Sequence, residues 1–157
     1  MTATHRPMVE SDIDAVLGMK LCPEDEAELT ALTGQDTETV LIESLTATNE
    51  PWVVLLDGRI VAVYGVSHAA TEAGCSFGMP WLLSTGELKL FSRKFLRESK
   101  AVIAKFHQHY TTLSNLVDIR HTRAIRWLKW LGFEFLEGEL LGHDTTVPFK
   151  QFVRCKS

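Results

Sequence analysis

The chain has 157 residues, one domain's worth of sequence, enough to bury a single sizeable core. An apolar fraction of 45% with 23% charged residues excludes disorder, collagen and coiled coil as readings of the whole chain. A formal charge of −4 argues against a generic nucleic-acid coat, and no apolar run approaches the roughly 20 residues of a spanning helix.

In chain order, the opening MTATHRPMVESD lacks the apolar stretch of a secretory signal, and residues 3–9 read as a short strand. Ser11 is placed to cap a helix from Asp12 to about Met19, with Ile13, Val16 and Leu17 on its apolar side. Residues 24–33 and 37–45 read as two further helices. Trp52–Leu56 and Arg59–Val66 are β-branched, apolar runs flanking Asp57-Gly58, the signature of a tight hairpin. Gly74–Gly78 reads as a break and Pro80–Ser84 as a short apolar strand. Ser92 can cap an amphipathic helix whose apolar stripe is Phe95, Ser99, Val102, Phe106 and Tyr110, about 19 residues by its period. Leu113–Ile119 is strand-like. Ala124, Trp127, Leu128 and Leu131 form a second stripe, which Gly132 is suited to end. Phe133–Leu141 and Val147–Arg154 complete the strands around a turn at Gly142-His143-Asp144. The order predicts a mixed α/β domain, hairpin-rich in front with a βαβα unit behind.

Charge is unevenly spread. Residues 1–50 carry 11 acidic and 2 basic side chains, whereas residues 89–130 carry 10 basic and 2 acidic ones. Such runs are read either as solvated helix faces or as an anion site, because the cations gather around predicted helix starts. Cys22, Cys75 and Cys155 are three widely spaced residues without a CxxC pair, so they read as small, partly buried hydrophobes rather than as disulfides or zinc ligands.

Taken together, the residues resemble a known family. Arg6-Pro7 followed by Asp12 and an apolar helix, and the segment HTRAIRWLKWLGFEF from His121 to Phe135, look like the opening and closing motifs of the GNAT (GCN5-related N-acetyltransferase) superfamily. Within it the sequence is similar to bacteriophage proteins that include internal virion proteins of short-tailed coliphages. That likeness lies in Trp81-Leu82-Leu83-Ser84-Thr85, Ser92-Arg93-Lys94-Phe95, Tyr110-Thr111-Thr112-Leu113 and Ile125-Arg126-Trp127-Leu128-Lys129, across residues 78–154. The resemblance implies a single GNAT-like domain over residues 1–157, with a mostly antiparallel central sheet and helices on both faces. It implies a phage source, a place in the host cytoplasm or the virion, and either acetyl-CoA chemistry on an amine or a non-catalytic role with virion or host proteins.

Acyl transfer from coenzyme A needs a strand opened at a bulge to bond the pantetheine, donors at a helix start for the pyrophosphate, a base for the amine and an acid for the thiolate. The resemblance puts the strand at Trp81, Leu82, Leu83, Ser84 and Thr85, the phosphate contacts at Ser92, Arg93 and Lys94, and Trp127 beside them. The sequence departs from the family at three points. The usual Q/R-x-x-G-x-G/A loop is replaced by Gly86–Lys94, which holds one early glycine. Arg93 and Lys94 either replace the backbone donors with charge or face solvent or a partner. The usual Asn before the last helix is His121, and the usual proton-donating Tyr is Leu128. His121 reads either as an acid or base or as a polar residue near the helix cap. His68, Glu72 and Cys75 are weaker candidates, and His107 and His109, two apart on one helix, make no metal pair. Trp127 falls in the apolar stripe, whereas Trp130, beside Arg126 and Lys129, is a candidate exposed anchor. Nucleic-acid binding through Arg120, Arg123, Arg126, Lys129 and Trp130 is disfavoured by the net charge and the acidic first third.

Overall fold

The computed structural model describes residues 3–88 and 92–157. The strands are β1 (Ala3–Pro7), β2 (Trp52–Leu56), β3 (Arg59–Glu72), β4 (Cys75–Ser84), β5 (Thr112–Asp118), β6 (Glu134–Phe135), β7 (Leu140–Leu141) and β8 (Pro148–Cys155). The helices are α1 (Ile13–Leu17), α2 (Pro23–Thr33), α3 (Thr37–Thr46), α4 (Arg93–Phe106) and α5 (Thr122–Trp130). They build one mixed sheet of order β1-β2-β3-β4-β5-β8-β6, with β7 also on β8. Every pairing is antiparallel except β4 with β5. The predicted α/β class and mostly antiparallel sheet are therefore what forms.

Alternation along the strands splits the core into two layers. Val53, Val63 and Leu83 face α1–α3 and pack with Val16, Leu21, Leu29, Val40 and Leu41. Val54, Tyr64 and Leu82 face the other way, toward Phe95, Val102 and Phe106 of α4. On that same side Ile103 joins Leu128 and Leu131 over Leu113, Val117 and Phe152. Helices thus cover both faces, as the resemblance implies.

Local chemistry explains most boundaries. Pro23 opens α2, three acids in its first turn favour the helix dipole, and Gly34 closes it at φ 69°. Asp36 caps α3 through the Thr39 N–H (2.7 Å), and Ser92 caps α4 through the Phe95 N–H (3.2 Å). Asp57 and Gly58 both take positive φ in the β2–β3 hairpin.

Five expectations are corrected. Asp12, not Ser11, organises the start of α1: its carboxylate accepts the Val9 N–H and both Arg6 guanidinium nitrogens, so a 3-10 turn precedes a helix of only five residues. Gly74–Gly78 is no break, because the chain turns at Ala73-Gly74 and β4 already runs from Cys75. Helix α4 stops at Phe106, since residues 107–110 turn back through Tyr110 N–H to Phe106 C=O (3.0 Å) and His107 Nδ1 to Tyr110 C=O (2.9 Å). Phe133–Leu141 is two short strands, because Gly138 at φ 87° interrupts it. Cys75 and Cys155 are exposed, and only Cys22 is part-buried.

Candidate active site

The parallel strands β4 and β5 pair only at Phe77–Gly78 against Thr112–Leu113, then separate. The cause is in the sequence. Ser76 N–H points to the β5 side, where it bonds Thr111 Oγ1 (2.9 Å), so alternate residues 78, 80, 82 and 84 present their backbone there too. Position 80 is proline and has no N–H to continue the ladder. The expected bulge lies instead on β3, where the register shifts between His68 and Ala70.

Asn115 fills the fork. Its Nδ2 donates to Pro80 C=O (3.0 Å) and its Oδ1 accepts the Leu116 N–H (2.8 Å). Farther out, the parted edges are met by α2. Asp25 Oδ2 accepts the Ser84 N–H (2.9 Å), Cys22 N–H donates to Ser84 C=O (2.9 Å), and Glu28 Oε2 accepts the Asp118 N–H (3.0 Å). His121, the residue before α5, places Nε2 3.3 Å from Asp25 Oδ1. A half-buried imidazole and two carboxylates thus meet where the sheet opens, with Asp118 next to them held by Arg120.

This grouping shifts the protonation of its members. Burial, reinforced by Asp25 and Asp118, raises Glu28 to about 7 against the pull of the Asp118 N–H and His121. The hydrogen bond to Asp25 raises the His121 imidazole above its ordinary value despite desolvation, with Glu28 adding to it. The site therefore pairs an imidazole whose protonated form is favoured with a carboxyl that titrates near 7, a pairing suited to acid–base work. Burial first, then neighbouring acids, pushes the Cys22 thiol up to about 11, so it is no thiolate nucleophile.

The predicted residues fall in several places. Leu82 offers its N–H and C=O to the opening by alternation, and Ser84 sits on the same edge with its N–H already bonded. Leu83 and Trp81 face α1–α3, and Trp81 Nε1 donates to Thr48 Oγ1 (2.9 Å). Thr85 returns its N–H to Val61 C=O (3.0 Å). Ser92 is spent as the helix cap. Arg93 is exposed beside Leu96, Arg97, Lys100 and Trp130. Lys94 is turned away, donating to Ala3 C=O. Trp127 packs against Phe95 with tilted rings, centroids 5.3 Å apart, and its buried Nε1 has no partner among the described residues. Lys89, Leu90 and Phe91 lie outside the described residues. His68, Glu72 and Cys75 are exposed, toward the β3–β4 turn. No cluster of metal-ligating side chains occurs among the described residues.

Asp25, Glu28 and Asn115 are absent from the sequence reading. Asp25 and Glu28 are three apart and share a face with Leu29, a readable signal masked by the acidity of the whole helix. Asn115 gives no local sign.

No family model matches the sequence, and no curated protein matches it. Solved structures do match. An aminoglycoside N(6')acetyltransferase from Legionella pneumophila superposes with a TM-score of 0.70 at 18% identity, over 98% of this chain and 91% of that one. An acetyltransferase of the GNAT family from Streptococcus pneumoniae gives 0.66 at 13%, over 99% and 100%. An aminoglycoside acetyltransferase in complex with coenzyme A gives 0.69 at 18%, over 99% and 95%. The chain has the fold of GNAT acetyltransferases.

Proposed function

We propose that the protein is an acyl-CoA-dependent N-acyltransferase, with acetyl-CoA as donor and an amine of a protein or small molecule as acceptor. One observation carries this reading: β4 and β5 part at Pro80 and a His121–Asp25–Glu28 cluster sits at the opening. The coenzyme A bound by one structural neighbour supports the cofactor class.

The residues fit a thioester cofactor in part. Leu82 supplies an open backbone edge for an extended amide chain, and Arg93 supplies exposed charge at the start of α4 for phosphate. Ser84 fits once Asp25 releases its N–H, and Trp127 once it separates from Phe95. The bound thioester would supply an activated acyl carbon. His121, whose protonated form the site favours, would give a proton to the departing thiolate, Asp25 would orient the ring, and ionised Glu28 would take the proton that the amine loses.

The test is a thermal-shift titration with acetyl-CoA and with coenzyme A, beside an Arg93→Ala, Lys94→Ala double variant. A ligand that binds the native state raises Tm with concentration. A rise in the wild type that is weakened in the variant supports the site; no rise at millimolar ligand overturns it. With a site in hand, loss of thiol release in His121→Ala, at unchanged cofactor binding, assigns the proton carrier.

A second reading has its own observation. The Ser84 and Asp118 N–H groups are already satisfied by α2, and Leu128 stands where the resemblance expects a proton-donating Tyr. These features suit a GNAT-fold protein that acts by contact. The resemblance to phage proteins then makes it phage-encoded, in the virion or on a host protein. Capture of a defined virion or host component by a protein that ignores coenzyme A would favour this reading.

A further inference from the structure

The net charge of −4 is a sum over two unlike faces. Helices α4 and α5 lie side by side on one face of the sheet, joined through Ile103 and Leu128. Between them they carry Arg93, Lys94, Arg97, Lys100, Lys105, Arg123, Arg126 and Lys129, against Glu98 alone. All eight cations are exposed. The apolar stripes that hold the helices down force these residues outward, because Arg93, Arg97 and Lys100 follow one another by four and three on the opposite side of α4.

The seam between the helices is a groove. One part, about 380 Å³, is lined by Arg93, Leu96, Arg97, Lys100 and Trp130. The other, about 310 Å³, continues past Lys100 and Trp130 to Leu131 and Arg154. No carboxylate lines either part. Trp130 stands at their junction, 43% exposed, with Lys100 Nζ 4.2 Å from its ring centroid. A cation over a part-exposed aromatic ring thus marks one point of a positively charged groove.

We infer that the α4–α5 groove binds single-stranded nucleic acid. The backbone phosphates lie along Arg97 and Lys100, and an unpaired base stacks on Trp130. Guanidinium forks match phosphate oxygens, and an aromatic platform accepts any base through its π-face. The ring favours this occupant over an acidic peptide, which has the charge but no flat group to stack. The inference does not depend on acyl transfer, and its test avoids Arg93 and Lys94.

Fluorescence anisotropy of a labelled 15-mer of deoxythymidine reads the interaction at several salt concentrations. Binding of wild type should weaken steeply with salt. Arg97→Ala, Lys100→Ala should reduce the log–log slope by about 1.4, two phosphate contacts at about 0.7 each. Trp130→Ala should weaken binding by at least about fivefold, and Trp130→Phe should retain most of it. Four results would overturn the inference: no binding at low salt, equal binding by the double variant, tighter binding of a duplex of the same length, or equal competition by poly-glutamate. Melting curves of each variant confirm that these surface changes leave the fold intact.

Discussion

Asp25 shows how one side chain joins two chemistries. It ends the β4 edge by accepting the Ser84 N–H and it orients His121. Asp25→Ala leaves a buried donor and an unpaired imidazole, and is expected to cost about 2–4 kcal/mol in urea unfolding. Asp25→Asn keeps an acceptor and should cost less, while NMR titration should show the His121 pKa falling. Glu28 sets the pH dependence. Its pKa rises from 4.5 unfolded to about 7 folded, so the fold favours the protonated acid. That contribution is complete below about pH 4.5 and lost as pH rises through 7, up to about 3 kcal/mol. The raised His121 imidazole acts in the same direction, its stabilisation disappearing as pH passes its folded pKa. Glu28→Gln still accepts the Asp118 N–H, so denaturation between pH 5 and 8 should show a flatter profile. An unchanged slope would remove Glu28 as its origin.

Turns and close approaches decide the elements. Ala73 holds φ 49° in the β3–β4 hairpin, a left-handed conformation that costs a β-carbon about 1–2 kcal/mol. Ala73→Gly should relieve part of that cost and raise Tm. At Gly142 the constraint is space. A β-carbon there would lie 2.7 Å from Leu32 Cα and 2.8 Å from its carbonyl oxygen, where the turn docks on α2 through His143 N–H to Leu32 C=O (3.0 Å) and Asp144 N–H to Ala31 C=O (2.8 Å). Backbone cannot yield as a side chain can, so Gly142→Ala is expected to destabilise by about 1–3 kcal/mol in thermal melts. Hairpin and cap chemistry was readable in Asp57-Gly58 and Ser92, because each acts within a few residues of itself. The ends of α4 and of the Phe133–Leu141 segment were not, since a period says where a face points and not where tertiary contacts stop it.

At the scale of the molecule, charge is sorted by face. Eight exposed cations on α4 and α5 oppose an N-terminal third with 11 acids. The pI near 5.8 predicts anion-exchange behaviour at pH 7.5, yet the basic face should also hold the protein on heparin at low salt. Arg97→Glu, Lys100→Glu should abolish heparin retention and leave melting unchanged. Retention of that variant would place the basic surface elsewhere.

The sequence by itself determined the apolar faces of the strands and helices, the Asp57-Gly58 hairpin and the missing ladder donor at Pro80. Apolar period, turn residues and a proline without an N–H all act locally. Tertiary structure decided what stands in the opening. Asp25 meets Ser84 59 positions away and His121 96 positions away, and Glu28 meets Asp118 90 positions away. No local pattern encodes those meetings. The sheet brings them together because buried backbone donors at a parted edge must find acceptors, and α2 is the element that reaches them.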